Sequence, residues 1–199
     1  MATSKQQTKM TVKQRTRGKR PPAPGVSAKD DIAAMIRVDH AGEYGAVRIY
    51  EGQLAVLSAR PGAERAIAAI KRMSDQEQRH LKTFDALVNE RRVRPTALEP
   101  VWRLAGFTLG AVTALLGEKA AMACTAAVEE VIDEHYASQL DRLEHDPALK
   151  ETIEDFRKDE IARRNEALAH GAAEPPGSKM MSEVIKAGCR LAIKLSERI

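Results

Sequence analysis

The sequence predicts an all-α protein built on a four-helix bundle core with additional helices around it, and three observations carry that prediction. Ala, Leu, Glu, Lys and Arg dominate, while aromatic residues make up only 4%, a composition of strong helix formers. No stretch alternates apolar and polar residues convincingly with period two, so no strand is expected. Several separate segments carry apolar residues stepped alternately three and four apart, the seam of a helix that packs into a bundle. A chain of 199 residues suffices for one core of this kind.

The first element is a tail. Lys5, Lys9, Lys13, Arg15, Arg17, Lys19 and Arg20 all precede the first acidic residue, Asp30, and Pro21-Pro22-Ala23-Pro24-Gly25 closes the stretch. Residues 1–28 are therefore expected to be a basic, solvated and disordered tail, and residues 29–199 the folded domain. Such a tail is compatible with attraction to anionic lipid. A nucleic-acid arm would interleave aromatic side chains with the cations; this one does not, so no nucleic-acid partner is expected. The charge and the Ser/Thr content also suit an organellar targeting peptide, but the stretch lacks an apolar face, and nothing in it resembles a secretory signal. Cys124 and Cys189 lie in apolar helical segments without Cys-x-x-Cys spacing, which argues against a disulfide framework or a zinc site and for a reducing compartment.

Ser27 or Asp30 can cap a first helix of about thirty residues. Its seam is Ile36, His40, Glu43, Val47, Tyr50, Leu54 and Leu57. Gly42 and Gly45 each cost about 1 kcal/mol of helix stability relative to Ala, and close approach of another helix or a ligand beside Glu43 is their expected use. Arg60-Pro61-Gly62 ends this helix, and Pro61 is expected to open the second, which runs to about Arg92 along Ile67, Ile70, Ser74, Glu77, Leu81, Phe84 and Val88. The short connection makes these two antiparallel neighbours. After a polar connection from Arg91 to Pro100, Leu104 to Gly117 carries no charge. That is too short for a membrane span of about 20 apolar residues, and suits a buried helix or one lying in a bilayer interface. The helix is expected to continue past Glu118 and Val128 through Glu129, Ile132, Tyr136, Leu140 and Leu143. His145-Asp146-Pro147 breaks it; the next places Leu149, Ile153, Phe156, Glu160, Arg163 and Ala167 on one seam. A last helix from about Ser182 carries Ile185, Gly188, Ala192, Leu195 and Ile199 on one side. Its basic stripe, Lys186, Arg190, Lys194 and Arg198, suits a solvated face or phosphate head groups.

Four of these seams place a glutamate where an apolar residue belongs: Glu43, Glu77, Glu129 and Glu160. A carboxylate on a buried seam must be paired or coordinated, since each unpaired buried charge costs several kcal/mol. Glu77 also begins a Glu-x-x-His with His80, and residues three apart share a helical face. Di-iron carboxylate bundles use one Glu from each of two helices and a Glu-x-x-His from each of the other two. Glu43 and Glu129 fit the single-Glu places and Glu77 with His80 one Glu-x-x-His, which points to a ferritin-like bundle.

The wording of the motifs goes further. Val38-Asp39-His40-Ala41-Gly42-Glu43-Tyr44-Gly45-Ala46, Glu77-Gln78-Arg79-His80-Leu81, Cys124-Thr125-Ala126-Ala127-Val128-Glu129-Glu130, Phe156-Arg157 with Glu160, and Lys186-Ala187-Gly188-Cys189 resemble the demethoxyubiquinone hydroxylases of ubiquinone biosynthesis, from Asp31 to the C-terminus. The resemblance implies a di-iron monooxygenase that hydroxylates the benzoquinone ring of a polyprenylated intermediate with O2. It implies reducing equivalents from NADH or an electron carrier, and other ubiquinone-biosynthesis proteins as partners. It also implies a peripheral position on a membrane surface, at the cytoplasmic face of a bacterial inner membrane or the matrix side of the mitochondrial one. By that match Glu43, Glu77, His80, Glu129 and Glu160 are the catalytic iron ligands, Glu77 and Glu160 bridging.

One position departs from the family pattern. The second Glu-x-x-His calls for histidine three residues after Glu160, where this chain has Arg163. A guanidinium stays protonated and offers no lone pair, and it can pair with Glu160 or Glu129 instead. His170 lies about 10 Å further along the axis, and His135 faces away. Either a second iron survives on carboxylates and water, or the chain binds less metal and acts as a quinone-lipid-binding or scaffold relative.

Overall fold

The computed structural model describes residues 28–199; the basic stretch expected as a tail lies outside the described residues, apart from Ala28. The described residues form six helices and no strand: α1 (Ala28–Leu57), α2 (Glu64–Glu90), α3 (Glu99–Leu115), α4 (Glu118–Leu140), α5 (Pro147–Ala169) and α6 (Ser178–Ser196). This is the expected all-α, ferritin-like architecture. α1 packs on α2 and α4 on α5, and the two hairpins close into the four-helix core; α3 is the crossover and lies along α1, while α6 lies along α4.

Three boundaries differ from expectation, each at a glycine. Gly62 has φ +86°, a left-handed conformation that no helix interior accepts. Pro61 therefore stays in the turn and α2 opens at Glu64. Gly117 has φ +124°, so the small-residue run read as one continuous helix is split into α3 and α4. Asp146 caps α5 by accepting a hydrogen bond from the Leu149 amide at 3.2 Å, with Pro147 in the first turn. α6 starts at Ser178, four residues ahead of its expected position, directly after the left-handed Gly177.

The core is laid down in two apolar layers. Tyr50, Leu57, Ile70, Met73, Met122 and Ala167 pack together toward one end, and Ile36, Phe84, Tyr136, Leu149, Ile153 and Phe156 toward the other. Along each of the four core helices the seam glutamate falls between its contributions to these layers, so Glu43, Glu77, Glu129 and Glu160 meet at one level with apolar side chains above and below.

The glycines of close approach are not the expected pair. A Cβ on Gly42 or Gly45 would meet nothing within 4 Å, whereas one on Gly52 would sit 2.2 Å from the Phe107 carbonyl oxygen, and one on Gly110 2.0 Å from that of Ile49. Gly106 in turn approaches the Gly45 carbonyl. α1 and α3 thus touch backbone to backbone. That contact turns the other side of α3 outward: Leu104 is 71% exposed, Val101, Val112 and Leu115 about half or more. α3 is not a buried helix. The basic stripe of α6 is half committed, with Lys186 Nζ 2.7 Å from Glu130 and Arg190 Nη2 3.0 Å from Glu134, both on α4, while Met180, Val184 and Leu191 stand exposed beside it. Both cysteines are free.

Gly110→Ala and Gly52→Ala are predicted to lower the melting temperature. The gain of about 1 kcal/mol in helix propensity is outweighed by about 1–3 kcal/mol of overpacking, because backbone rather than a flexible side chain stands in the way. Gly42→Ala, with open space around it, should raise the melting temperature. Thermal unfolding followed by circular dichroism checks the opposite signs.

Candidate metal centre

Four side chains from three helices converge between the apolar layers. Glu43 of α1, Glu77 and His80 of α2 and Glu160 of α5 each offer one ligand atom, all within 4.8 Å of one another, and each residue is at most 1% exposed. His80 Nδ1 lies 3.4 Å from Glu43 Oε2, 3.4 Å from Glu160 Oε1 and 3.7 Å from Glu77 Oε2.

The histidine is held for that purpose. Its Nε2 is 3.0 Å from Asp159 Oδ2, an acceptor that fixes the proton on Nε2 and leaves the Nδ1 lone pair facing the carboxylates. Arg79 pairs with Asp159 from outside, and the Phe156 ring stacks on the imidazole at 3.7 Å between centroids. Two tyrosines complete the surround: Tyr136 donates to Glu43 Oε1, and Tyr50 donates to Glu129 Oε1 at 2.6 Å. The sequence alone does not mark Asp159, Tyr50 or Tyr136 as site residues. For the tyrosines a signal exists, because each sits on a seam two turns from that helix's glutamate and a buried hydroxyl needs a partner.

Glu129 and Arg163 form the other half of the site. The Arg163 side chain is 1% exposed; its Nη2 is 3.0 Å from Glu77 Oε1 and pairs with Glu160 Oε1, and its Nε donates to Glu129 Oε1 at 3.2 Å. The expected pairing with Glu160 or Glu129 is made with both, and Glu77 joins them. His40, on the α1 seam, turns to Asp85 at 2.9 Å. His135 bonds Asp39 at 3.0 Å, and His170 caps the end of α5; neither joins the cluster.

Burial pushes the carboxyls of Glu43, Glu77 and Glu160 above the ordinary carboxylate value, against the Arg163 charge, which lowers all three. Burial also raises Glu129, but there the charge of Arg163 and hydrogen bonds from Tyr50 and Arg163 outweigh it, and Glu129 ends low. His80 is lowered by burial, which keeps the imidazole neutral and able to ligate. Arg163 is desolvated, yet Glu129, Glu77 and Glu160 hold it protonated more firmly than a free guanidinium.

The residues fit one metal ion and do not fit two. Glu43 Oε2, Glu77 Oε2, His80 Nδ1 and Glu160 Oε2 are buried and have no hydrogen-bond partner. Three carboxylates and an imidazole are a donor set for a first-row divalent ion. The place a second ion would need, among Glu77, Glu129 and Glu160, holds the Arg163 guanidinium. An arrangement of two irons bridged by Glu77 and Glu160 does not fit this chain.

The shifts predict a pH dependence for metal-free protein. Carboxyls with raised folded values bind protons that the unfolded chain has released, so the stability that they contribute is full below their ordinary value and is lost as pH rises through the raised ones. Glu129, shifted down, works the other way only at acid pH. His80, lowered, and His135, raised by Asp39 against burial, oppose each other. With chelator the melting temperature should therefore fall as pH rises above the ordinary carboxylate range, and saturating Mn(II) should flatten the slope; a chelated protein that stabilises as pH rises from there would contradict the assignment.

A family profile described as "Ubiquinone biosynthesis protein COQ7" matches residues 30–196. The chain is 54% identical over 169 residues to the "3-demethoxyubiquinol 3-hydroxylase" of Rhodospirillum rubrum, covering 84% of this chain and 78% of that one. It is 50% identical over 173 residues to the "NADPH-dependent 3-demethoxyubiquinone 3-hydroxylase, mitochondrial" of Homo sapiens, at 84% and 78%. It is 41% identical over 181 residues to the "5-demethoxyubiquinone hydroxylase, mitochondrial" of Saccharomyces cerevisiae, at 83% and 77%. A helical bundle carrying a buried Glu/His cluster and matched to that family over nearly its whole described length belongs to the ubiquinone biosynthesis protein COQ7 family.

Proposed function

We propose that the protein is an O2-dependent monooxygenase of ubiquinone biosynthesis that hydroxylates the quinone ring of a polyprenylated demethoxyubiquinone. One observation carries the reading: Glu43, Glu77, His80 and Glu160 form a buried, incompletely partnered donor set in a chain 54% identical to a relative named for that reaction. The balance is simple. One ring C–H becomes C–OH, and O2 with two electrons and two protons supplies that oxygen and one water. The electrons come from an external reductant, a nicotinamide such as NADH or NADPH, or an electron carrier.

Glu43, Glu77, His80 and Glu160 would hold iron, which when bound would supply the one-electron and O2 chemistry that side chains lack. The protein's own share is positional. Asp159 and Phe156 fix the His80 ring, Tyr136 holds Glu43, and the two apolar layers keep bulk water from the reacting atoms. Glu129 belongs to the same level but is tied to Arg163 and Tyr50, so its place as a ligand is the least supported of the five residues expected to bind metal.

The substrate's polyprenyl tail calls for an apolar route. The exposed faces of α3 and α6 adjoin, with Trp102 Nε1 3.0 Å from Ser196 Oγ and Leu109, Ile185 and Cys189 packed together beneath them. No helix among the described residues is long and apolar enough to cross a membrane. A peripheral position is therefore proposed, with these faces on the bilayer at the cytoplasmic face of a bacterial inner membrane or the matrix side of the mitochondrial one. Lys186 and Arg190 are occupied by Glu130 and Glu134, so apolar contact rather than the basic stripe supplies most of the attraction. Other ubiquinone-biosynthesis proteins are proposed to meet the protein at this membrane surface. No contact with nucleic acid is proposed.

A second reading, a quinone-lipid-binding or scaffold protein with impaired redox chemistry, is favoured by one observation, the Arg163 guanidinium inside the carboxylate cluster. Iron-loaded protein with reductant, O2 and a short-chain demethoxyubiquinone should yield a product heavier by one oxygen, and His80→Ala should lower turnover at least a hundredfold. Quinone lipid recovered with the purified protein but no oxygen uptake would select the second reading. Leu104→Asp combined with Val112→Asp and Leu115→Asp should abolish flotation with liposomes while leaving the helical signal intact; unchanged flotation would refute the docking surface.

A further inference from the structure

We propose that this chain binds a single divalent metal ion, and that the Arg163 guanidinium is a fixed internal cation standing where dinuclear carboxylate bundles hold a second ion. The inference rests on reading the cluster as a metal site but not on the quinone reaction.

The atoms divide between two cations. Glu77 turns Oε2 toward His80 and Oε1 toward Arg163. Glu160 Oε1 lies between His80 Nδ1 and Arg163 Nη2. Glu43 serves only the His80 side, and Glu129 serves only the Arg163 side. Glu77 and Glu160 therefore bridge as they would between two metal ions, with a guanidinium as one of the bridged partners. The three carboxylates that Arg163 touches are those left for a second ion once the Glu43–His80 side is filled.

The replacement is built in. Arg163 is fully buried, the largest such side chain among the described residues, and its partners lie on three helices, α2, α4 and α5. A guanidinium cannot give up its proton to become a ligand, and its planar fork suits several carboxylates at once. Charge also decides the count. The four buried glutamates exceed one guanidinium by three negative charges when ionised, an excess that desolvation makes untenable. One divalent ion nearly cancels it. Two divalent ions beside Arg163 would leave a net positive charge in an apolar interior, and the second ion would compete with the guanidinium for Glu77 Oε1, Glu129 Oε1 and Glu160 Oε1.

The test is metal stoichiometry. Chelator-treated protein is loaded anaerobically with Fe(II), or with Mn(II) in a parallel sample, gel-filtered and analysed for metal per chain; the Mn(II) sample is read by electron paramagnetic resonance. The unmodified chain should hold one ion, with the spectrum of an isolated Mn(II). Arg163→His should hold two, with an exchange-coupled signal. Glu129→Gln should leave the count at one, because Glu129 faces the arginine, whereas Glu43→Gln with His80→Ala should reduce it to none. Two ions in the unmodified chain, no ion in it, or a count that falls with Glu129→Gln would each overturn the proposal. If Arg163→His does not fold, the Glu129→Gln comparison still decides. Loss of quinone turnover with one ion bound would count against the proposed reaction and leave this inference standing.

Discussion

Four glutamates desolvated at one level of a helical bundle set the terms for everything around them. An ionised carboxylate taken out of water without a partner costs several kcal/mol, and a domain's net stability is only about 5–15 kcal/mol. Glu43, Glu77, Glu129 and Glu160 cannot all be ionised in an apolar layer unless cations and hydrogen-bond donors stand among them. The structure supplies the donors as Tyr50 and Tyr136 and one cation as Arg163. Each of the four glutamates still has an oxygen without a hydrogen-bond partner, and those of Glu43 and Glu77 face His80 Nδ1.

The architecture follows from that constraint. Each core helix brings its glutamate to the middle of its length and spends both ends on apolar layers, so the polar level is sealed from above and below. α3 and α6 lie outside this arrangement and are governed by other interactions. α3 is drawn against α1 by backbone contact at Gly52, Gly106 and Gly110, and α6 is tied to α4 by ion pairs from Lys186 and Arg190. Both therefore turn apolar residues outward, and the same packing that builds the core creates the surface suited to a lipid.

Arg163 links the electrostatics to the chemistry. It is the group that stabilises the folded, metal-poor cluster, and it occupies space and donor atoms that a dinuclear site would use. A neutral imidazole there would leave Glu129 and both bridging glutamates in need of a second metal. An arginine meets that need permanently, and under the single-ion proposal the metal is left to the Glu43–His80 half.

Periodicity and residue type alone made most of the fold legible: the all-α class, the four seams, the antiparallel start and the four inward glutamates all follow from spacing three and four. The wording of the motifs made the family legible, and the absence of a lone pair on Arg163 made the departure legible. The sequence did not reveal the break at Gly117, because a glycine in a small-residue run is compatible with either a helix or a stop until its neighbours fix φ. Nor did it reveal which glycines meet another backbone, since Gly42 and Gly52 are equivalent until α3 is placed. The split of the cluster into a His80 side and an Arg163 side was likewise decided only in three dimensions. Spacing puts a carboxylate on a face, but which of its two oxygens meets which cation depends on how four helices are rotated against one another, and that rotation is set by the packing of the apolar layers on either side.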